Sequence, residues 1–270
     1  MKVNILVAGF QKCGTSALHE FLSNHPQIIG SNPKELDYFN YEEKFKKGND
    51  YYHSFFNKKV FSAIRGFNYL ESSPSYLSDR DVYETARRIK EYNNDVKIIG
   101  LIRNPAQRAY SAWNMYKERY FEGNKDWWIN WVEQRTGVKP TDIVRRKEEE
   151  YLSFSLFVEN EINVLRKGKK IECSILSHGE YHKGIQIYKE FFKDNFLILK
   201  NEDLNASTGL ILNQIGDFLD LKEFNWNQFD GIKVFKGSYE NKIQEETELL
   251  LSEYFLGSNK KLKEIIGFSY

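Results

Sequence analysis

Cysteine is nearly missing from this chain: Cys13 and Cys173 are the two among 270 residues. That is too few for a disulfide framework, and the expectation is a reducing compartment. No apolar run approaches the ~20 residues that span a bilayer. Met1-Lys2-Val3 leads straight into the first apolar segment with no room for a signal peptide, so a soluble, cytoplasmic protein without a membrane span is expected. Net charge is also small, 39 basic against 38 acidic side chains giving +1. No global field favours nucleic acid or a membrane surface, and any anion site must be local. The five histidines show no zinc-type pairing with cysteine. His178 and His182 stand four apart, which on a helix would face them the same way, but they lack a third ligand and no metal is expected. Internal repeats and low-complexity linkers are missing too, which leaves a single domain over 1–270.

What is present begins with an apolar run, Val3 to Ala8, that reads as a buried strand. It stops at Gly9, and Leu18, Phe21 and Leu22 recur at helical spacing just after Gly14-Thr15-Ser16. Unpaired N–H groups at such a helix start, with the positive end of the helix dipole behind them, make an anion site; Gly14 permits close approach and Lys12 adds a full charge. Gly9 and Gly14 are spaced as in the nucleoside-triphosphate loop G-x-x-x-x-G-K-[ST]. There the lysine follows the second glycine; here that place is Thr15, and the lysine sits inside the loop at Lys12. This suits a shorter anion gripped from the side. A plain Gly-Thr-Ser helix cap with a solvated lysine is the alternative.

The length suits a sizeable α/β core, and an aromatic content of 16% argues against disorder. His25-Pro26 ends the first helix, Gln27 to Gly30 is a short apolar piece, and 31–39 reads as a loop followed by a short turn of helix. Tyr51, Tyr52, Phe55 and Phe56 read as core. Phe67 to Glu71 predicts a second strand, Asp79 caps a helix through Tyr92, and Val96 to Ile102 is the clearest interior strand. Pro105 fits the first turn of the next helix. Asn195 to Lys200 is a further strand, followed from Asp203 or Asn205 by a helix with Leu210, Leu212, Ile215, Phe218 and Leu219 toward the core. A last helix runs from about Gln244 to Ile266. The rhythm predicts an α/β, P-loop-like three-layer fold: a central, mostly parallel sheet flanked by helices, with ligands beyond the carboxyl ends of the strands.

Residues 116–170 read as a helical insertion over those strand ends. The mixed-sign run Arg145 to Glu150 reads as a solvated helix. Trp127, Trp128 and Trp131 read as packing, with a sugar platform as the alternative. At the end of the Val96 to Ile102 strand, where a metal-dependent phosphotransferase places an acid for Mg²⁺, this chain has Arg103. A guanidinium there is a bidentate partner for a second phosphate, and Ser111, two helical turns on, adds a hydroxyl. A surface ion pair is the alternative for Arg103.

Together these residues resemble the sulfotransferases that use 3′-phosphoadenosine 5′-phosphosulfate (PAPS), nearest to the carbohydrate branch that includes the heparan sulfate enzymes. Gly9-Phe10-Gln11-Lys12-Cys13-Gly14-Thr15-Ser16 is similar to that family's 5′-phosphosulfate loop. Arg103-Asn104-Pro105 with Arg108 and Ser111 is similar to its 3′-phosphate element, R-[DN]-P-x-x-R-x-x-S. Lys34-Glu35-x-x-x-Phe39 resembles the segment that supplies a catalytic glutamate, Glu71-Ser72-Ser73-Pro74-Ser75-Tyr76 the second-strand motif, Gly179-x-Tyr181 a segment near the acceptor, and Lys236-Gly237 a C-terminal loop over the nucleotide.

The resemblance implies Gln11, Lys12, Cys13, Gly14, Thr15, Ser16, Arg103, Ser111, Lys236 and Gly237 as nucleotide contacts. It implies Lys12 and Glu35 as catalytic, with Glu35 the general base, and Glu71, Ser72, His178 and Tyr181 toward the acceptor. PAPS would be the co-substrate, the bisphosphate PAP the product, and the acceptor a hydroxyl on a carbohydrate, with no metal and no nucleic acid involved. Taken on sequence alone, Glu35 also reads as a plain surface carboxylate. Two departures stand out. Ser72 occupies the place where the heparan sulfate enzymes have a lysine after the strand-two glutamate, and Ser238 stands where the C-terminal loop commonly continues with arginine. A nucleotide kinase and a non-catalytic nucleotide-binding module are the rival readings; the first would need a lysine after Gly14 and an acid at Arg103, the second would not need Glu35.

Overall fold

A computed structural model describes residues 1–56, 66–78, 81–232, 234 and 242–270. In chain order its elements are β1 (Ile5–Gly9), α1 (Thr15–Ser23), β2 (Ile28–Gly30), α2 (Glu42–Phe45), α3 (Gly48–His53), β3 (Asn68–Ser72), α4 (Val82–Tyr92), β4 (Lys97–Ile102), α5 (Pro105–Glu122), α6 (Trp127–Thr136), β5 (Ile143–Val144), α7 (Glu148–Leu152), α8 (Phe154–Arg166), β6 (Lys170–Ile171), α9 (His182–Phe192), β7 (Phe196–Lys200), α10 (Asn201–Ala206), α11 (Thr208–Phe218) and α12 (Glu245–Ile266). They group into two compact units, one of Met1–Arg103 with Lys183–Lys236, the other of Asn104–His182 with Gly237–Tyr270.

The first unit is built on a five-stranded sheet in the order β2-β3-β1-β4-β7, parallel throughout. Strands buried on both faces read as continuous apolar runs rather than alternating ones. This explains why β1 and β4 are the most legible: every residue of β1 is buried, and Ile98, Ile99, Leu101 and Ile102 of β4 are fully enclosed. The chain leaves β1 toward β2 and leaves β4 toward β7, so the connections diverge between β1 and β4. That is the crevice where open α/β sheets hold their ligands. The register between these strands slips at the end of β1, Val7 facing Ile99 and Gly9 facing Gly100. The slip carries the chain out of the ladder into the loop.

Leu18, Phe21 and Leu22 are buried on α1 as their spacing predicts, and Tyr52 and Phe56 are core residues. Other expectations are made specific or corrected. The apolar piece after His25-Pro26 is β2, a three-residue strand at the sheet edge. Residues 31–41 carry no helix, and the first helical turn is α2. The cap of α4 is Asp81, whose carboxylate accepts from Glu84 N at 2.9 Å, because the helix begins at Val82; Asp79 lies outside the described residues. Past β7 the single helix expected from Asp203 or Asn205 is two, α10 and α11, broken at Ser207. The phase set at Thr208 turns Ile211, Leu212 and Ile215 inward and leaves Leu210 68% exposed.

The second unit holds α5 to α8, α12 and the short parallel pair β5 and β6. Pro105 opens α5 as expected, with Asn104 Oδ1 accepting from Ala106 N and Gln107 N at 3.0 and 3.1 Å. Its core is aromatic: Tyr110, Trp113, Tyr116, Tyr120, Tyr151, Phe154, Phe157 and Phe255 pack together, with Trp127 and Trp128 against them. This is the packing reading of those two tryptophans. The run Arg145 to Glu150 is not the solvated helix expected from its mixed signs. Arg146 is buried, donating to Glu150 and Glu161 and to the carbonyls of Phe157 and Glu172 at 2.9 and 2.8 Å. Glu161 in turn accepts from Leu176 N at 2.7 Å. The run feeds a buried ionic network, which sequence periodicity does not distinguish from a surface.

Candidate functional site

The loop between β1 and α1 lies at the carboxyl edge of the sheet. Its shape depends on two left-handed residues, Lys12 at φ 64° and Gly14 at φ 93°. A side chain at Gly14 would be strained by that φ, and its Cβ would also press on Asn201 Nδ2 and displace that amide. Gly14 precedes the first residue of α1, and no side chain caps this helix. The first N–H groups of a helix have no intrahelical acceptor, so this end offers donors and a positive dipole to an anion. Cys13 is fully buried, its N–H bonded to Phe10 O at 3.1 Å, so it shapes the loop from below. Gln11 and Lys12 are partly exposed. Arg103, directly after β4, approaches the same loop: its Nη1 lies 3.5 Å from Lys12 O.

A segment from the far side of β1 completes this arrangement. Lys34 Nζ donates to Ser16 Oγ at 2.8 Å, lies 3.5 Å from Thr15 Oγ1, and pairs with Glu35 at 2.8 Å. One ammonium thus joins the Glu35 carboxylate to the hydroxyls that open α1. The backbone of Lys34 is fixed by two donors to its carbonyl, Ser31 Oγ at 3.0 Å and Ser72 N at 3.4 Å. The end of β3 fixes the next residues, Leu36 to Tyr38. Glu71, fully buried, accepts from Leu36 N and from the Tyr52 hydroxyl, both at 3.3 Å, and from the Ser73 hydroxyl. Asp37 N donates to Ser73 Oγ at 2.9 Å, and Tyr38 N to the Tyr76 hydroxyl at the same distance. Burial pushes the Glu71 carboxyl up to about 7, against hydrogen bonds from Ser73 and Tyr76 that favour its charge. Ser72, also buried, meets His19 Nδ1 at 2.7 Å. Burial, with the Lys34 charge adding to it, brings His19 down to about 4, so it is neutral near pH 7.

The deciding comparison is with protein families: residues 2–250 match the profile described as Sulfotransferase domain. This chain belongs to the sulfotransferase family.

Among curated relatives, it is 22% identical over 317 residues to the membrane-associated sulfotransferase kil1 of Dictyostelium discoideum, covering 98% of this chain and 65% of that protein. It is 30% identical over 123 residues to heparan sulfate glucosamine 3-O-sulfotransferase 5 of Mus musculus, covering 46% of this chain and 33% of that one. The chain therefore spans less than two thirds of the length of these relatives. Among solved structures, a sulfotransferase from Alicyclobacillus acidocaldarius superposes with a TM-score of 0.69 at 20% identity, over 100% of this chain and 98% of that one. Mouse sulfotransferase SULT7A1, solved with PAP, superposes with a TM-score of 0.52 at 14% identity, over 98% of this chain and 90% of that one. Both share the fold.

Against the family pattern, the loop residues, Arg103, Glu35, Glu71 and Ser72 all fall in the first unit. Glu71 and Ser72 are enclosed there, one tied to backbone and hydroxyls around Leu36 and the other to His19, so both shape the Lys34 to Phe39 segment. The second unit holds Ser111, buried on α5, and Tyr181, fully buried. His178 lies there on a 3-10 turn, Ser177–Gly179, while His182 begins α9; the common helical face expected for the two histidines is not formed. Burial, and after it the Arg108 guanidinium, lowers His178 to about 4. Lys236 and Gly237, with Ser238, lie outside the described residues. Among the described residues no group of three His, Cys, Asp or Glu is placed to hold a metal ion, and no helix is long and apolar enough to cross a membrane.

Two residues at this site have a part that the sequence motifs do not assign. Lys34 stands there only as part of the Lys34-Glu35-x-x-x-Phe39 segment; its contact with Ser16 is visible only in the structure. Asn201 follows β7 directly, so the rule that strand ends carry the ligand site would have marked it.

Proposed function

We propose that this protein transfers the sulfuryl group of PAPS to an acceptor hydroxyl on a carbohydrate or glycoconjugate, releasing PAP. The observation that carries the reading is the junction at Ser16, where a cation and the carboxylate of Glu35 meet the anion-binding end of α1. The residues fit the donor. Gly14 leaves a cradle that a Cβ would fill, and the loop offers helix-start N–H groups and the Thr15 and Ser16 hydroxyls to a phosphate. Gln11 and Cys13 shape its wall. Arg103 takes the 3′-phosphate contact that the family pattern assigns to it, and Ser111, Lys236 and Gly237 are assigned to the nucleotide by that pattern alone.

PAPS supplies an activated sulfur whose bond to the 5′-phosphate is the one broken. Lys12 neutralises the oxygen on which the electron pair comes to rest. Glu35 accepts the acceptor's hydroxyl proton as the new oxygen–sulfur bond forms. A sulfuryl group carries less charge than a phosphoryl group, so lysine can do what a divalent metal does in phosphoryl transfer; the reading is metal-independent. His178 is proposed toward the acceptor, as the family pattern implies, and Tyr181, fully buried, is proposed to support the segment that carries it. Glu71 and Ser72 act through the segment that carries Glu35. The heparan sulfate specificity named for the mouse relative supports a carbohydrate acceptor, and a sequence with only two cysteines, both buried, supports a reducing compartment such as the cytoplasm.

The test of Glu35 is Glu35→Gln, which keeps shape and hydrogen bonding but cannot take a proton. Turnover should fall by roughly 10²–10⁴ while PAP affinity stays within a few-fold. Turnover close to that of the parent removes Glu35 as the base and favours a binding module.

A further inference from the structure

We infer that Lys34 is a second cation of the transfer site and contacts the sulfuryl oxygens, bringing to the loop a charge that Ser72 does not. The inference rests on the sulfuryl-transfer reading above. After Glu71 this chain has Ser72, a short side chain turned to His19 at 2.7 Å. Ser72 therefore brings no charge to the site. Lys34 brings one from the neighbouring segment: its ammonium is at 2.8 Å from Ser16 Oγ and 3.5 Å from Thr15 Oγ1. Its side chain is only 20% exposed.

The two positions are joined through the backbone, Ser72 N donating to Lys34 O at 3.4 Å. The two positions are thus neighbours at the end of β3, and only the one at 34 sends a charge to the loop. His19 fits this account. Its depressed pKa leaves it neutral beside Lys34, so the two do not compete as cations. A lysine paired only with its sequence neighbour Glu35 would have no reason to reach α1. Here the same ammonium touches both the carboxylate and the hydroxyls that open the anion site.

In the reaction the acceptor oxygen bonds to sulfur, the bond from sulfur to the 5′-phosphate oxygen breaks with its electron pair passing to that phosphate, and the acceptor proton goes to Glu35. Lys34 takes no part in the proton transfer and offsets charge on the sulfuryl oxygens. When it turns from Glu35 to those oxygens, it frees the carboxylate for the proton.

The experiment measures kcat and KM for PAPS, Kd for PAP and melting temperature in the parent, Lys34→Met, Lys34→Gln and Lys34→Arg. PAP lacks the sulfuryl group and separates the two ends of the donor. The expected result is a drop of about 10²–10³ in kcat for the Met and Gln variants, as for loss of a preorganised charge at the transition state. PAP affinity should stay within about threefold, and arginine should recover at least about tenfold of the lost rate, because it restores the charge. A kcat within about threefold of the parent overturns the inference. So does a loss of PAP affinity as large as the loss of rate, which would make Lys34 a phosphate holder. A parent that transfers nothing fails earlier and overturns the reading on which the inference rests. If Lys34→Met does not fold, the Gln variant, closer in polarity, decides.

Discussion

Gly14 and Asn201 lie against one another: a Cβ at Gly14 would meet Asn201 Nδ2 and force that amide to turn aside. The loop after β1 and the end of β7 are therefore fitted to each other across the crevice beside β4. Gly14→Ala should weaken PAP binding at least about tenfold, because it shifts the N–H groups that face the phosphate and adds left-handed strain of about 1–2 kcal/mol. Adding Asn201→Ala relieves the collision but not the strain, so the double variant should recover only part of the affinity. Full recovery in calorimetry would assign the whole effect to the collision.

Arg103 stands where a metal-holding acid would be in a phosphotransferase, its guanidinium beside the carbonyl of Lys12. Arg103→Ala should cost about 2–5 kcal/mol of PAP binding, the range for losing a charge-assisted bidentate contact. Adenosine 5′-phosphate, which lacks the 3′-phosphate, should bind parent and variant alike. Equal affinity of parent and variant for PAP would remove Arg103 from the nucleotide site.

How much of this protein is legible in its sequence depends on how each element is held. Interior strands such as β4 carry their own signal, because burial on both faces demands a continuous apolar run. The edge strand β2 is three residues long and paired on one side only, too short for any periodicity. Leu210 reads as a core residue because phase cannot be fixed until the helix start is known, and the break at Ser207 resets it. The loop residues and Arg103 are legible because strand ends concentrate ligand chemistry in this kind of sheet. The part of Lys34 is not, since it depends on a contact 18 residues away in the chain.

Arg146 tests the same lesson in the second unit, since its charge reads as solvated and is buried. Arg146→Met leaves Glu150 and Glu161 facing one another without a cation and should destabilise the protein by about 3–5 kcal/mol in urea denaturation. Lys147→Met, removing an exposed partner of Glu149 at 3.7 Å, should change stability little. Similar losses for the two would mean that the buried network contributes no more than a surface pair.

Glu71 gives a pH prediction with a definite sign. Its carboxyl rises from 4.5 to about 7 on folding, so between these values the native state holds a proton that the unfolded chain has released. This favours the folded state at low pH, and the advantage is lost as pH rises through 7, by up to about 3 kcal/mol. His19 works in the opposite direction: lowered from 6.5 to about 4, it contributes stability above 6.5 that is lost as pH falls toward 4. Glu71→Gln removes the first effect alone. Relative to the parent, the variant should therefore gain stability between about pH 5 and pH 7.5, read from urea midpoints at each pH. Parallel pH profiles for the two proteins would contradict a buried, protonated Glu71.

Sulfuryl transfer itself is tested most directly by incubating the protein with sulfur-labelled PAPS and a panel of glycan acceptors in EDTA, following PAP release and acceptor mass together. The account predicts that label moves to a carbohydrate hydroxyl, with the mass gain of one SO₃ per PAP released, and that added Mg²⁺ leaves the rate unchanged. Tight PAP binding with no transfer to any acceptor, or transfer that stops in EDTA and returns with Mg²⁺, would contradict it.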